Sequence, residues 1–169
     1  MFKKLLMIVL LAAPMTLFAQ KYAHIDYQDI VTNLPAYKTA MTELETLGKQ
    51  YDADLKSMQQ EGQTKLEKYQ KEVNESTPEN IRKRMEEELT AIQQRIEQAY
   101  QDNQKAFAEA QQQKMQPIMT RVNDAITAVQ KEGGYLYIMD KAMATQAGIF
   151  INDAMSTDVT AQVKSKLGI

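Results

Sequence analysis

Between Met41 and Val73 the apolar residues Met41, Leu44, Leu47, Tyr51, Leu55, Met58, Leu66, Tyr69 and Val73 recur at intervals of three and four, with Gly62 in the single gap of the series. Counting Gly62, nine steps cover 32 residues, about 3.6 residues per step, which is the period of an α-helix. Ala53 is the only apolar side chain off this stripe, and apart from Gly48 the remaining positions are Lys, Glu, Gln, Asp, Thr and Ser. A seam this narrow on so wet a circumference is the pattern of a coiled-coil helix and not of a helix buried in a globular core.

A second stripe runs through Ile81, Met85, Leu89, Ile92, Ile96, Tyr100, Phe107, Ala110, Ile118, Val122, Ala125 and Val129, interrupted by the polar residues Asn103 and Lys114, where the seam is expected to be looser. Between the stripes, Asn74-Glu75-Ser76-Thr77-Pro78-Glu79-Asn80 reads as a stop followed by a new start. Thr77 is suited to cap orphan N–H groups, Pro78 to the first helical position and Glu79 to the positive helix end. Helices from about Ala36 to Glu75 and from Glu79 to Glu132 would be about 60 and 80 Å long at the usual rise. Neither fits inside a compact domain, and a tip near residues 74–80 makes them antiparallel neighbours. The expected fold is mainly α, with residues 36–132 forming an antiparallel coiled-coil hairpin.

The flanks differ in texture. Lys21 to Asp26, Tyr135 to Asp140 and Gly148 to Asn152 are short, rich in Tyr and Ile, and predict three strands. Gly133-Gly134 ends the long helix, and Ser156 or Thr157 is expected to cap a last helix carrying Val159, Val163 and Leu167, with Lys164 and Lys166 near its end and Gly168 beyond. Residues 20–35 and 133–169 therefore form one small β-body, split in sequence around the hairpin. At that size burial alone is marginal, and open strand edges invite pairing. Self-association is the expected remedy, with Ile25, Leu136, Ile138, Ile149 and Ile151 supplying the apolar contacts.

Residues 1–19 predict a signal peptide: Lys3 and Lys4 are followed by the apolar run Leu5 to Ala13, and Leu17-Phe18-Ala19 ends in the small residue that suits cleavage after Ala19. There is no Cys, which excludes both a disulfide framework and a lipid-modified cysteine. Cleavage removes two lysines from 20 cations and leaves the 22 acids, so the mature charge is −4. No basic excess of the kind nucleic-acid binders carry is present.

Nothing in the chain assembles into catalytic chemistry. His24 is the only histidine and there is no Cys, so one protomer offers no cluster with zinc-ligand spacing; an ordinary strand histidine is the simpler reading. Asp52/Asp54 and Glu86/Glu87/Glu88 lie in heavily charged helical stretches, as a solvated face would, and Gln111-Gln112-Gln113 reads the same way. The six glycines form neither phosphate-binding fingerprint and no serine sits in a nucleophile elbow. No cofactor, no nucleotide and no enzyme activity are expected. Met58, Met85, Met115 and Met119 could offer adaptable apolar contact to a bound polypeptide, or could simply fill the seam. Pro117 lies inside the second helical pattern, where a proline kinks or destabilises a helix. It is either a hinge that sets the splay of the hairpin or a bend that routes the helix.

Three blocks carry a family resemblance: the N-terminal KYAHIDYQDIV, then PIMTRVNDAITAVQKEGGYLYIMD, then GIFINDAMSTDVTAQVKSKL. With the charged hairpin between them they resemble the Skp/OmpH family along essentially the whole mature chain, most specifically in the C-terminal block with Asp140 and Asp158-Val159-Thr160. The resemblance implies a periplasmic, ATP-independent holdase: a homotrimer whose strands join in a central body and whose hairpins enclose a cavity for unfolded outer-membrane proteins. It brings no catalytic residues. The best-known members are basic, whereas this chain is mildly acidic. From Lys65 to Arg84 six cations face four acids, and the overall balance weakens the case for membrane or lipopolysaccharide contact. Residue pattern alone leaves a second function open, a structural or adaptor protein of the envelope whose hairpin docks one fixed partner.

Overall fold

The computed structural model describes residues 21–169; the signal peptide expected over residues 1–19 lies outside them. The chain order is β1 (Lys21–Ile25), α1 (Tyr27–Asn33), α2 (Pro35–Glu72), α3 (Glu79–Gly133), β2 (Tyr135–Asp140), α4 (Lys141–Gln146), β3 (Ser156–Asp158) and α5 (Thr160–Leu167). Two compact units are present. Among the described residues, one takes those from Lys21 to Ile30 together with Val122–Ile169, and the other is Val31–Arg121.

The second unit is the helical hairpin. Its two helices are antiparallel, because partners that advance along α2 from Glu43 to Tyr69 retreat along α3 from Lys114 to Glu86. Only Ala40 and Leu44 are fully buried on α2, since a single partner helix covers one side of a seam and leaves the rest of the stripe half-wet. Gly62 explains its place in the stripe: a Cβ there would stand 3.2 Å from Ile92 Cγ2. Its missing side chain lets Ile92 sit against α2, and Ile92 is buried. At the tip Thr77 does not serve α3 as expected. Its hydroxyl accepts from Asn74 N–H at 2.9 Å and donates to Glu72 O at 3.3 Å, closing off α2. The first bonds of α3 go from Ile81 and Arg82 N–H to the Pro78 carbonyl instead, so the proline stands one residue before the first helical position.

The first unit holds a three-stranded sheet in the order β2-β1-β3. Both pairings are parallel, with Ala23 opposite Ile138 and Thr157, and His24 opposite Met139 and Asp158. Its buried residues include Ala23, Ile25, Ile30, Val122, Ala125, Val129, Ala144, Val159, Val163 and Leu167. The spacings of three and four on α3 and of four on α5 place each helical set on one face. His24 is buried as well, with Nδ1 2.9 Å from Ser156 Oγ, tying the central strand to β3.

The third strand is not where the sequence pattern put it. Gly148 to Asn152, expected as a strand, is irregular, and β3 lies at Ser156–Asp158, where a helix cap was expected. The reason is local. Gly148 has φ of 74°, and the N–H groups of Gly148 and Ile149 close α4 by bonding to the carbonyls of Thr145 and Ala144, the paired bonds of a glycine-capped helix end. Asn152 then folds the following chain back, with its side chain accepting from Ala154 N–H and its carbonyl from Met155 and Ser156 N–H. The backbone groups that a strand would need are already committed.

Each of the three strands is followed directly by an aspartate or ends in one, and each aspartate organises the next helix. Asp26 accepts from Asp29 N–H, Asp140 from Met143 N–H, and Asp158 from Thr160 N–H. The Thr160 hydroxyl and backbone bonds hold the Asp158 carboxyl below its ordinary value. A depressed carboxyl contributes stability that is present above the unfolded-state value, about 3.9, and is lost as the pH falls through the lower folded one. Asp158→Ala is therefore expected to lower stability at pH 7 by about 1 kcal/mol, the usual worth of a capping carboxylate. The difference from the parent should shrink to nothing in denaturation curves taken below the folded-state value.

Candidate functional site

Two surfaces, one in each unit, remain after the packing is accounted for. On the hairpin, the seam is laced by pairs that cross between the helices: Glu43 with Lys114, Glu61 with Arg95, Lys65 with Glu88 at 3.0 Å, and the Tyr69 hydroxyl donating to Glu86 at 2.8 Å. These pairs are half-exposed and screened by solvent, so their effect is to fix the register more than to add stability. Lys65 holds the Glu88 carboxyl below its ordinary value, and Glu86 pushes the Tyr69 phenol up. The expected weak point at Lys114 is thus filled by an ion pair, a partner the apolar pattern alone could not reveal.

Apolar groups are spread thinly between the charges. Met41, Leu66, Ile81, Tyr100 and Met119 are exposed along the helices. Of the methionines singled out from the sequence, Met58, Met85 and Met115 are half-buried and Met119 is 46% exposed. The structure does not gather these four into one pocket. Pro117 is exposed on α3 and lines a groove with Leu34, Ala40 and Ile118.

In the unit that carries the sheet, the apolar residues expected to meet a second copy are placed unequally. Ile25 is buried in its own chain, Ile138 and Ile151 are half-buried, and Leu136 and Ile149 are exposed. Among the described residues the most exposed large hydrophobic side chain is Phe150, at 89%, which was not among the expected contacts. Met155 and Met143 follow at 74% and 64%, and Tyr137 stacks on Tyr22 across the β1–β2 pair with ring centroids 6.0 Å apart. Phe150 sat inside the predicted strand, where alternation would have hidden it. The signal that could have found it is Gly148, which ends α4 and denies the segment a strand.

Among the described residues no group of three His, Cys, Asp or Glu side chains is placed to hold a metal ion, and no helix is long and apolar enough to cross a membrane.

Comparison with known proteins agrees with this architecture. The family model for outer membrane proteins of the OmpH-like type matches residues 21–167. The chain is 26% identical over 153 residues to the chaperone protein Skp of Yersinia enterocolitica, covering 90% of this chain and 89% of that one. The crystal structure of an OmpH-like protein from Caulobacter crescentus superposes with a TM-score of 0.71 at 17% identity, covering 88% of this chain and 83% of its own. The last comparison establishes the fold.

Proposed function

We propose, on the premise that the chain belongs to the OmpH-like family of outer membrane proteins, that it is an ATP-independent chaperone of the periplasm. It is exported by a signal peptide cleaved after Ala19. It holds unfolded outer-membrane β-barrel proteins in a cavity between its helical hairpins, prevents their aggregation, and does no covalent chemistry. It assembles as a homotrimer through the residues around its sheet. The observation that carries this reading is the extent of the family match, which takes in both long helices and all three strands.

The surfaces support it. Isolated apolar side chains among solvated charges suit weak, sequence-tolerant contact with many extended chains, and methionine adapts to each. Leu136 and Tyr137 on the edge strand β2, with Ile149 and Phe150 before β3, leave apolar area in water. Covering it by another copy recovers about 25 cal/mol per Å². Lys65, Lys68 and Lys83 near the tip have carboxylate partners, which weakens the case for membrane or lipopolysaccharide contact.

Purified mature protein, a trimer by light scattering at micromolar concentration, should suppress aggregation of several unrelated denatured β-barrels without nucleotide. Aggregation that proceeds as if the protein were absent, or a stable monomer, defeats the reading.

A further inference from the structure

Midway along the hairpin the lacing stops. Glu43–Lys114 and Glu61–Arg95 bracket a window in which, among the described residues, no charged pair joins α2 to α3. There Gly48 faces Phe107, whose ring carbon Cε2 would be 3.7 Å from a Cβ on the glycine. The window holds a groove of about 490 Å³ with Tyr51 and Leu55 on one wall and Tyr100 and Phe107 on the other. Asp52 is the one charged group in its lining. Besides the two tyrosine hydroxyls its polar groups are the amides of Asn103, Gln104 and Gln111, and among the described residues none of these side-chain amides has a hydrogen-bond partner.

This combination selects its occupant. A groove so poor in charge on an otherwise ion-paired surface matches an uncharged segment. Each amide offers a donor and an acceptor together, which is what a peptide group needs when it has no strand beside it. The rings of Tyr51, Tyr100 and Phe107 favour a further aromatic ring, by stacking or edge-to-face contact. Strands of outer-membrane barrels carry aromatic residues in bands at both ends of their apolar stretch.

We infer that this groove receives an aromatic side chain, with the peptide groups beside it, from an extended strand segment of an unfolded outer-membrane protein. The inference rests on the proposed function and gives it a specificity that a diffuse surface lacks. Tyr100 is the group to remove, because it is 49% exposed and its loss leaves the Gly48–Phe107 contact in place.

The test uses the full mature chain and two fluorescent ten-residue strand peptides, identical except that one has Tyr and the other Leu at the terminal apolar position. The Tyr peptide should bind about two- to ten-fold tighter, the range of an added aromatic pair. Tyr100→Ala should reduce that preference, and Gln104→Ala should weaken both peptides alike, with helicity by circular dichroism unchanged in each variant. Equal affinities, a preference that Tyr100→Ala leaves undiminished, or binding of a neutral oligosaccharide in place of either peptide overturns the inference. If denatured barrels are still protected from aggregation while the peptides bind equally, the groove assignment falls and the proposed function stands. If protection itself is absent, the function falls first.

Discussion

Ile30→Ala is expected to remove about 2–5 kcal/mol of stability, the range for deleting a fully buried aliphatic side chain and leaving a cavity. Ile30 has no exposed surface at all, and its N–H bonds to the Asp26 carbonyl at the junction of β1 and α1. The unit it belongs to is small, and total stabilities of about 5–15 kcal/mol leave little margin for such a loss. Urea titration should show a large drop in midpoint, and amide exchange in β1 should lose its protection. A stability loss of less than about 1 kcal/mol would mean that the site collapses around the smaller side chain and that Ile30 is no keystone.

Pro117→Ala acts in the opposite direction. Pro117 lies within α3, which continues on both sides of it. It cannot donate to the Gln113 carbonyl and its ring crowds that group, a cost of about 3 kcal/mol in a helix interior. Because the residue is exposed, alanine should restore the bond without opening a cavity, raising stability by up to that amount. Thermal melting followed at the helix band measures it. The same variant separates two roles for the proline. If it acts as a hinge that sets hairpin splay, the distribution of distances between spin labels near Thr77 in the assembled protein narrows and large clients are captured less well. If it only routes the helix, stability rises and the distance distribution is unchanged.

How far the sequence discloses this protein depends on the range of the forces involved. The hairpin is legible because its signal is local and repeated: the stripe from Met41 to Val73 and its gap at Gly62 are both visible in order along the chain, and the structure gives each a packing reason. Strand β2 and its terminal Asp140 are legible for the same cause. The order β2-β1-β3 is not, because parallel pairing joins Ala23 to residues more than a hundred positions away, and nothing in KYAHI names its neighbours. The segment at 148–152 misleads because β-branched residues argue for a strand while two backbone bonds at Gly148 and Ile149 decide otherwise. The candidate surfaces are least legible. The groove beside Tyr100 depends on which side of a helix the seam passes: Ala99 is half-buried while Tyr100, counted on the stripe, faces out.

The position of β1 at the centre of the sheet has a consequence for the order in which the chain can fold. Both of its neighbours, β2 and β3, are specified by residues 135–158, so the strand that comes first in the chain waits longest for its partners. The α2–α3 pair needs only contacts across a short turn and closes early, whereas the sheet waits for an ordering step across the whole hairpin. Until Ser156–Asp158 is available, β1 can pair only with β2 and keeps one open edge. A chain truncated before residue 156 should therefore keep that edge open and partition to aggregates or to proteases.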